Sequence, residues 1–209
     1  MQTNDQNVFV LDDDDALRDA MRELFASEGM NVKTFSSAEA FLGWDLWKLH
    51  GCAVIDIHMR GMTGLELLTE LKARGSKLSV IIITGQGDVS KAVKALKAGA
   101  VDFIEKPFDP AALVSLVRKA LSNVHQQKQT EEEIKAAQTR LGTLSAREHE
   151  VMELVVAGNA NKMIAAKLGI SARTVETHRA KMMEKTGCDN ISSLVSLVLK
   201  LKSEQDRQP

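Results

Sequence analysis

Four short apolar runs in the first half of the chain each lead to polar residues that could take part in phosphate chemistry. These residues are Asp12 and Asp13, Asp56, Thr84 and Lys106. Carboxylate oxygens are ligands that Mg²⁺ prefers in proteins. A hydroxyl and an ammonium group can both donate hydrogen bonds to phosphoryl oxygens. Together, these residue types suit a magnesium ion and a transferable phosphoryl group.

The sequence around these residues predicts the sheet that brings them together. The apolar runs are rich in Val and Ile and are separated by amphipathic segments, which is typical of buried parallel strands with crossover helices. All carboxyl ends of such a sheet lie on one edge, so the polar residues are expected to converge there. The predicted strands are residues 8–11, 32–35, 52–55, 80–83 and 101–104.

Helix signals between the strands complete five βα units and predict a doubly wound sheet of the α/β class. The expected helix starts are Asp14 and Asp15 for the first helix, a capping box of Ser36 and Glu39 for the second, Asp88 for the fourth, and Asp109 with Pro110 for the fifth. The expected ends of the first, third and fourth helices are Gly29, Gly75 and Gly99.

The acidic residues also have a plainer interpretation. A run of four Asp is often a solvated loop or a helix start, which is the preferred interpretation for Asp14 and Asp15. Asp12 and Asp13 directly follow a strand, where carboxylates could hold a cation. Asp56, taken alone, would equally suit a helix cap or a buried ion pair.

Composition indicates one or two domains, since the chain has 209 residues and 44% hydrophobic content. No apolar stretch is long enough to span a membrane, and the start MQTNDQNV does not have the pattern of a secretory signal. Cys52 and Cys188 lack metal-ligand spacing and are expected to be reduced. The cytoplasm is therefore the expected compartment, with no membrane partner.

Charge and composition divide the chain. Residues 1–125 carry 14 Lys and Arg against 17 Asp and Glu, a net −3, whereas residues 142–209 carry 10 against 8, a net +2. The first half suits a cation, and the second is compatible with nucleic acid. Between them, HQQKQTEEEIKAAQTR has no Pro or Gly and favours helix. We expect a first domain at 1–122, a helical linker at 123–141 and a second domain at 142–209.

The second half is predicted to be an all-α unit of four helices. Ser145 with Glu148 forms a capping box, a helix at 161–168 ends at Gly169, and Ser171 caps the helix that follows. The last predicted helix covers residues 191–201. Two helices joined through LGIS describe a helix-turn-helix, whose second helix lies in the major groove of DNA. A generic bundle with a solvated basic face is the alternative.

The stretches VFVLDDDDALRDAM, AVIDIHMRGMTGLELL, IIITGQGD and KAGAVDFIEKPF resemble the receiver domain of bacterial two-component response regulators over residues 7–122. The resemblance implies that a histidine kinase phosphorylates Asp56, with Mg²⁺ held by Asp12, Asp13, Asp56 and the backbone carbonyl of His58. It implies phosphoryl contacts for Thr84 and Lys106, and a switch made of Thr84 and Phe103. A plain core role is the alternative for Phe103. The bond between Lys106 and Pro107 is expected to be cis.

Arg60 is a departure from this family, which usually has Pro at that position. The loop after Asp56 therefore lacks the fixed φ angle that a proline ring would impose, and it carries the positive charge of an arginine instead. A functional contact with phosphate is one interpretation, and a solvent-facing side chain is the preferred one.

The stretch TLSAREHEVMELVVAGNANKMIAAKLGISARTVETHRAKMMEKTG resembles the LuxR-type DNA-binding domain over residues 142–202. The resemblance places His178 in packing. It implies base-facing positions at Glu176, Thr177 and Ala180, and DNA-backbone contacts from Lys162, Thr174, Arg179 and Lys181.

Both resemblances together imply a non-enzymatic regulator that is phosphorylated, forms a homodimer and binds promoter DNA, with RNA polymerase as a possible further partner. An aspartate-nucleophile phosphatase is a competing hypothesis, because Asp12 and Asp14 have the spacing of its Asp-x-Asp-x-Thr motif. However, Ala16 stands in place of the Thr, and residues 142–202 are then unexplained. A constitutive DNA-binding protein with a silent receiver is a third hypothesis.

Overall fold

The structure is a computed structural model that describes residues 6–45, 49–85 and 89–205. It divides into two compact units between Lys128 and Gln129. No helix in these described ranges is both long enough and apolar enough to cross a bilayer.

The first unit contains a five-stranded parallel sheet in the order β2-β1-β3-β4-β5, which confirms the predicted fold. The strands are β1 (Asn7–Leu11), β2 (Asn31–Phe35), β3 (Cys52–Asp56), β4 (Ser79–Thr84) and β5 (Asp102–Glu105). The helices are α1 (Asp15–Ser27), α2 (Ala38–Leu42), α3 (Gly64–Ala73), α4 (Val89–Lys97) and α5 (Pro110–Leu141).

Alternate residues of each strand face opposite sides of the sheet, because side chains alternate along a strand. On one face, Phe9 and Ile55 pack with residues of α2, α3 and α4. On the other face, Val10 and Val54 pack with residues of α1 and α5. Both layers exclude water from the strands and leave their carboxyl ends as the accessible edge.

The predicted capping box at the start of α2 is wrong, and the strand bounds differ from the prediction by about one residue. The N-cap of α2 is Ser37, whose Oγ accepts from the Ala40 N–H at 3.2 Å, and not Ser36. Glu39 makes no capping box, because its carboxylate instead accepts from the Met62 N–H at 3.0 Å. The fifth strand begins and ends one residue later than predicted. The predicted cap Asp88 lies outside the described residues.

Local signals at the ends of other helices are confirmed. Asp14 is the N-cap of α1, with its carboxylate accepting from the N–H groups of Ala16 and Leu17. Asp109 accepts from the Ala111 N–H at 3.1 Å at the start of α5. The segment predicted as a helical linker forms the C-terminal part of α5, which ends at Leu141.

The second unit adds four helices to the last part of α5: α6 (Ala146–Val156), α7 (Asn161–Leu168), α8 (Ala172–Thr186) and α9 (Ile191–Gln205). The capping box of Ser145 and Glu148 is confirmed. Gly169 ends α7 at φ +65°, a left-handed conformation that favours glycine, and permits the tight turn into α8. The last helix is four residues longer than predicted. Its Leu194, Val198 and Leu201 are buried in the core of the unit.

Candidate functional site

Strand register brings the predicted phosphate-handling residues to one edge of the sheet. Leu11 pairs with Ile55, so Asp12 and Asp56 follow neighbouring strand positions. Thr84 pairs with Glu105, so Lys106 directly follows the residue beside Thr84. The sheet thereby joins residues that are far apart in sequence.

The three predicted metal-binding carboxylates form one cluster. Asp12, Asp13 and Asp56 each offer an oxygen that lies within 4.8 Å of the others. Asp12 and Asp56 are buried, and Asp13 is half-buried. An oxygen-only set of this kind, open on one side to water, fits a hard cation such as Mg²⁺ that keeps part of its hydration shell.

Lys106 joins the cluster through its ammonium group. Its Nζ donates to Asp12 Oδ2 at 3.0 Å and to Asp56 Oδ2 at 3.1 Å. Burial by itself lowers the pKa of Lys106, but hydrogen bonds and attraction from the two carboxylates outweigh it and raise the net pKa. The lysine is therefore held as a cation between the two acids.

Burial raises the pKa of Asp56. Hydrogen bonding and charge attraction from Lys106 and a hydrogen bond from the His58 backbone oppose this rise, and repulsion from Asp12 adds to it. Burial and the nearby Asp12 carboxylate disfavour the ionised form of Asp56. Perturbed pKa values of this kind are common among catalytic nucleophiles.

The remaining predicted residues of this site lie near it in different ways. Thr84 is buried at the end of β4, where its hydroxyl donates to the Gly85 carbonyl at 3.0 Å. Phe103 is half-buried on β5 against the core, which fits both interpretations of that residue. The His58 side chain is exposed, and the role of its carbonyl as a metal ligand stays a prediction. The bond from Lys106 to Pro107 is cis, as expected.

Arg60 is exposed, as its preferred interpretation requires, but it also faces the carboxylate cluster. Its side chain is 96% exposed, and its Nε lies 3.6 Å from Asp13 Oδ2. The replacement of the usual Pro therefore places a cation beside a predicted metal ligand.

Sequence reasoning did not identify three residues that position the site. Gly64 packs so closely on β3 that an added Cβ would lie 2.2 Å from the Asp56 carbonyl oxygen. Arg18 donates to the Asp12 carbonyl at 2.8 Å. Glu39 holds the loop after β3 through Met62. Glycine is a poor helix former, so its presence in the first turn of α3 was the sequence feature that could have indicated a special packing role for Gly64.

Asp14 does not belong to the carboxylate cluster. Its carboxylate caps α1 and its backbone N–H donates to Asp12 Oδ1 at 2.8 Å. The Asp-x-Asp spacing that suggested a phosphatase is therefore occupied by a helix cap, with its oxygens directed at backbone N–H groups and not at a shared reaction centre.

The second unit presents most of the predicted DNA-contact residues on its surface. Lys162 on α7 and Glu176, Thr177, Ala180 and Lys181 on α8 are exposed. The Thr177 hydroxyl donates to the Arg173 carbonyl at 3.1 Å within the helix. These five residues are therefore available to a ligand.

Thr174 and Arg179 are half-buried and already have protein partners. Thr174 shares a hydrogen bond of 2.8 Å with Ser171 at the start of α8, and Arg179 donates to Asn161 on α7. His178 is also half-buried, with an Nδ1 that finds no hydrogen-bond partner in the described part of the chain, which agrees with a packing role.

An ion pair between the exposed Lys185 and the buried Glu148 fixes the C-terminal end of α8. Lys185 Nζ lies 2.6 Å from Glu148 Oε2 and also donates to the Thr143 carbonyl at 3.3 Å. The hydrogen bond from Lys185 and those from Ser145 lower the pKa of Glu148 to about 2. The α8 helix is thereby tied to the start of α6.

Comparisons with known proteins match both units. The family model for the response regulator receiver domain matches residues 8–118. The model for bacterial regulatory proteins of the luxR family matches residues 142–198.

Individual relatives match almost the whole chain. Transcriptional regulatory protein FixJ of Azorhizobium caulinodans is 46% identical over 192 residues, which cover 92% of this chain and 91% of that protein. Response regulator protein TmoT of Ectopseudomonas mendocina is 40% identical over 202 residues, which cover 95% and 91%. Among solved structures, response regulator StyR aligns with a TM-score of 0.83 at 38% identity, covering 93% of this chain and 98% of that one. Full-length FixJ from B. japonicum aligns with a TM-score of 0.61 at 39% identity, covering 96% and 99%.

Proposed function

From the membership of this chain in the two-component response regulators with a receiver domain and a LuxR-type DNA-binding domain, we propose that it is a transcription factor controlled by phosphorylation. A sensor histidine kinase donates a phosphoryl group to Asp56. The modified chain dimerises and binds promoter DNA. The observation that carries the proposal is the cluster of Asp12, Asp13 and Asp56 with Lys106, joined by strand register.

The chemistry follows from this cluster. A carboxylate oxygen of Asp56 attacks phosphorus, the bond from phosphorus to the histidine nitrogen breaks, and the electron pair leaves with the nitrogen. When bound by Asp12, Asp13, Asp56 and the His58 carbonyl, Mg²⁺ supplies positive charge for the phosphoryl oxygens. Lys106 donates hydrogen bonds to a phosphoryl oxygen, since its ammonium already points at the acceptor carboxylate.

The switch uses the residues at the ends of β4 and β5. A phosphoryl oxygen offers the Thr84 hydroxyl a stronger acceptor than the Gly85 carbonyl that it now uses, because the phosphoryl group is charged. The loop after β4 then moves inward and Phe103 turns toward the core, which biases an existing equilibrium.

This motion acts on a surface that already exposes apolar side chains. Val93 and Leu96 on α4 are 43% and 40% exposed, and Val101, just before β5, is 40% exposed. Receiver pairing would bury these side chains and stabilise a dimer through the hydrophobic effect. Two chains would then present two DNA-binding domains to two half-sites.

DNA binding is assigned to the exposed surface of α7 and α8. Glu176, Thr177 and Ala180 face base edges, and Lys162 and Lys181 reach phosphates together with Thr174 and Arg179. On binding DNA, Thr174 and Arg179 either retain their hydrogen bonds to Ser171 and Asn161 or replace them with hydrogen bonds to phosphate.

The proposed domains are 1–122 and 142–209, joined by the helical segment 123–141. Because its proposed partner is chromosomal DNA, we place the protein in the cytoplasm. At a promoter it can also contact RNA polymerase. The chain regulates and does not turn over a substrate, since the phosphoryl group is its signal.

The central test is phosphorylation with acetyl phosphate and Mg²⁺, followed by intact-protein mass spectrometry. One phosphoryl group is expected on the wild-type chain and none on Asp56→Asn. Asp14→Asn is the matched control, because it removes a carboxylate of the same acidic run outside the cluster, and it should be labelled like the wild type. Equal labelling of Asp56→Asn would overturn the proposal.

A further inference from the structure

The Arg60 side chain gives the third carboxylate of the cluster a cationic neighbour. Lys106 contacts Asp12 and Asp56, whereas the Arg60 Nε lies 3.6 Å from Asp13 Oδ2. Three carboxylates and one lysine have a net charge of −2, and the arginine reduces it to −1. A divalent cation therefore meets half of the net negative charge that the cluster would have without Arg60.

The backbone around Arg60 is held from both sides. Met59 is buried, and the Met62 N–H donates to Glu39 at 3.0 Å. Gly61 has a φ of +78°, which a non-glycine residue rarely adopts, so the turn is fixed by a specific residue. The backbone at Arg60 is thus fixed, and its side chain is 96% exposed with Nε 3.6 Å from Asp13 Oδ2.

The Asp13 carboxylate is also the most accessible of the three. Its side chain is 28% exposed, against 1% for Asp12 and 7% for Asp56. A hydrated cation that enters from solvent meets Asp13 first, and the Arg60 Nε lies 3.6 Å from one oxygen of that carboxylate. Guanidinium and metal ion cannot both use one carboxylate oxygen at full strength, because like charges repel.

We propose that Arg60 competes with the divalent cation for Asp13 and so sets the magnesium affinity of this receiver. The inference rests on the proposed function, because it requires the cation site of that proposal. Loss of the arginine charge strengthens divalent cation binding by about two- to fivefold, the range that an exposed ion pair supports. The effect shrinks as monovalent salt increases, since an exposed guanidinium is screened. Phosphorylation, which uses the bound cation, consequently responds to magnesium at higher concentrations than it would without Arg60.

The test is Mn²⁺ binding to the full-length chain, followed by the electron paramagnetic resonance signal of free Mn²⁺, with Mg²⁺ added as a competitor. Arg60→Gln should lower both dissociation constants by about two- to fivefold at low salt. Arg60→Lys, which keeps the charge, should stay closer to the wild type. The gap between wild type and Arg60→Gln should narrow at high salt.

Arg74→Gln is the matched control, because it removes an exposed guanidinium that is paired with Glu70 at the end of α3. It should bind Mn²⁺ like the wild type. Equal affinities for the wild type and Arg60→Gln, or an equal gain from Arg74→Gln, would overturn the role of Arg60. Absence of Mn²⁺ binding in the wild type and all variants would instead remove the cation site of the proposed function.

Discussion

At the scale of single residues, the proposed phosphoacceptor Asp56 has an unfavourable electrostatic environment. Its carboxylate is buried beside Asp12, and burial raises its pKa despite the contact with Lys106. A raised pKa means that the folded chain holds the proton more tightly than the unfolded chain does. The ionised side chain therefore reduces stability at neutral pH, relative to a neutral side chain of the same shape.

Asp56→Asn is expected to raise stability in the absence of divalent cations, on the order of 1 kcal/mol. Ionisation of Asp56 destabilises the folded wild type once pH rises above 3.8, the pKa of this group in the unfolded chain. As pH falls toward 3.8, the wild-type group becomes protonated, and the stability difference between Asp56→Asn and the wild type should disappear. The stability difference can be measured by thermal unfolding followed by tryptophan fluorescence, since both Trp residues lie in the first half of the chain, as Asp56 does. Asp19→Asn, at an exposed ion pair on α1, is the control and should change little. A less stable Asp56→Asn at pH 7 would contradict this prediction.

Gly64 also positions the site, because the absence of a side chain lets the start of α3 approach the end of β3 closely. Gly64→Ala places a Cβ 2.2 Å from the Asp56 carbonyl oxygen, so the end of β3 or the start of α3 must shift. We expect a loss of about 1 to 3 kcal/mol in stability and slower phosphorylation. Gly43→Ala is the matched control, since its nearest contact would be an ordinary 3.6 Å. Denaturant unfolding and acetyl phosphate labelling test both, and equal behaviour of the two variants would count against the close approach.

At the scale of elements, the ion pair of Glu148 with Lys185 holds α8 against α6. The pKa of Glu148 is lowered to about 2 in the folded chain. A depressed pKa contributes stability above the unfolded value of 4.5, and this contribution is lost as pH falls from there toward 2.

Glu148→Gln should therefore unfold at a lower temperature than the wild type at pH 7, and the gap should close as pH approaches 2. Far-UV circular dichroism is the measurement, because the second unit has no Trp. Glu150→Gln on the exposed side of α6 is the control and should leave the transition nearly unchanged. A gap that persists unchanged near pH 2 would show that packing, and not the charge, is what the variant loses.

The exposed surface of α8 makes a separate prediction about DNA. Thr177→Ala should change sequence preference, because Thr177 is assigned to base edges. Lys181→Ala should weaken binding to all sequences and reduce the salt slope by roughly one, because it is assigned to phosphate. Binding to a panel of operator variants at several salt concentrations measures both effects. Lys200→Ala on α9, where the lysine contacts Glu133, is the control. Equal, sequence-independent losses from Thr177→Ala and Lys181→Ala would refute the assignment.

At the scale of the whole molecule, phosphorylation is expected to control assembly. The exposed apolar side chains on α4 and before β5 form the surface that we propose for receiver pairing. A single second domain has few basic residues and should bind DNA weakly, whereas two copies bind two half-sites.

The full-length chain should shift from monomer toward dimer on phosphorylation, and Asp56→Asn should stay monomeric under the same conditions. Leu96→Asp should accept phosphate but remain largely monomeric, because it places a charge in the pairing surface. A fragment of residues 138–209 should bind operator DNA without phosphorylation. Sedimentation and DNA-binding measurements test these outcomes. An unchanged mass on phosphorylation, together with an inert fragment, would leave the mechanism without support.

The sequence by itself determined the type and order of the elements and the identity of the strand-end residues. Periodic apolar residues specify helices and strands locally, and a parallel sheet places all its carboxyl ends on one edge. Asp12, Asp56, Thr84 and Lys106 could therefore be assigned to one site before any distance was known. Capping by Asp14 and by Ser145 with Glu148 was also predictable, because these bonds span a few residues.

Tertiary structure alone decided the contacts between residues distant in sequence. Glu39 has the spacing of a local capping box but bonds to Met62, and Arg60 reaches Asp13 instead of solvent alone. Glu148 meets Lys185 from another helix. Each of these contacts depends on how neighbouring elements pack, and a side chain with two available partners takes the one that packing brings within hydrogen-bonding distance. Local periodicity carries no information about that choice.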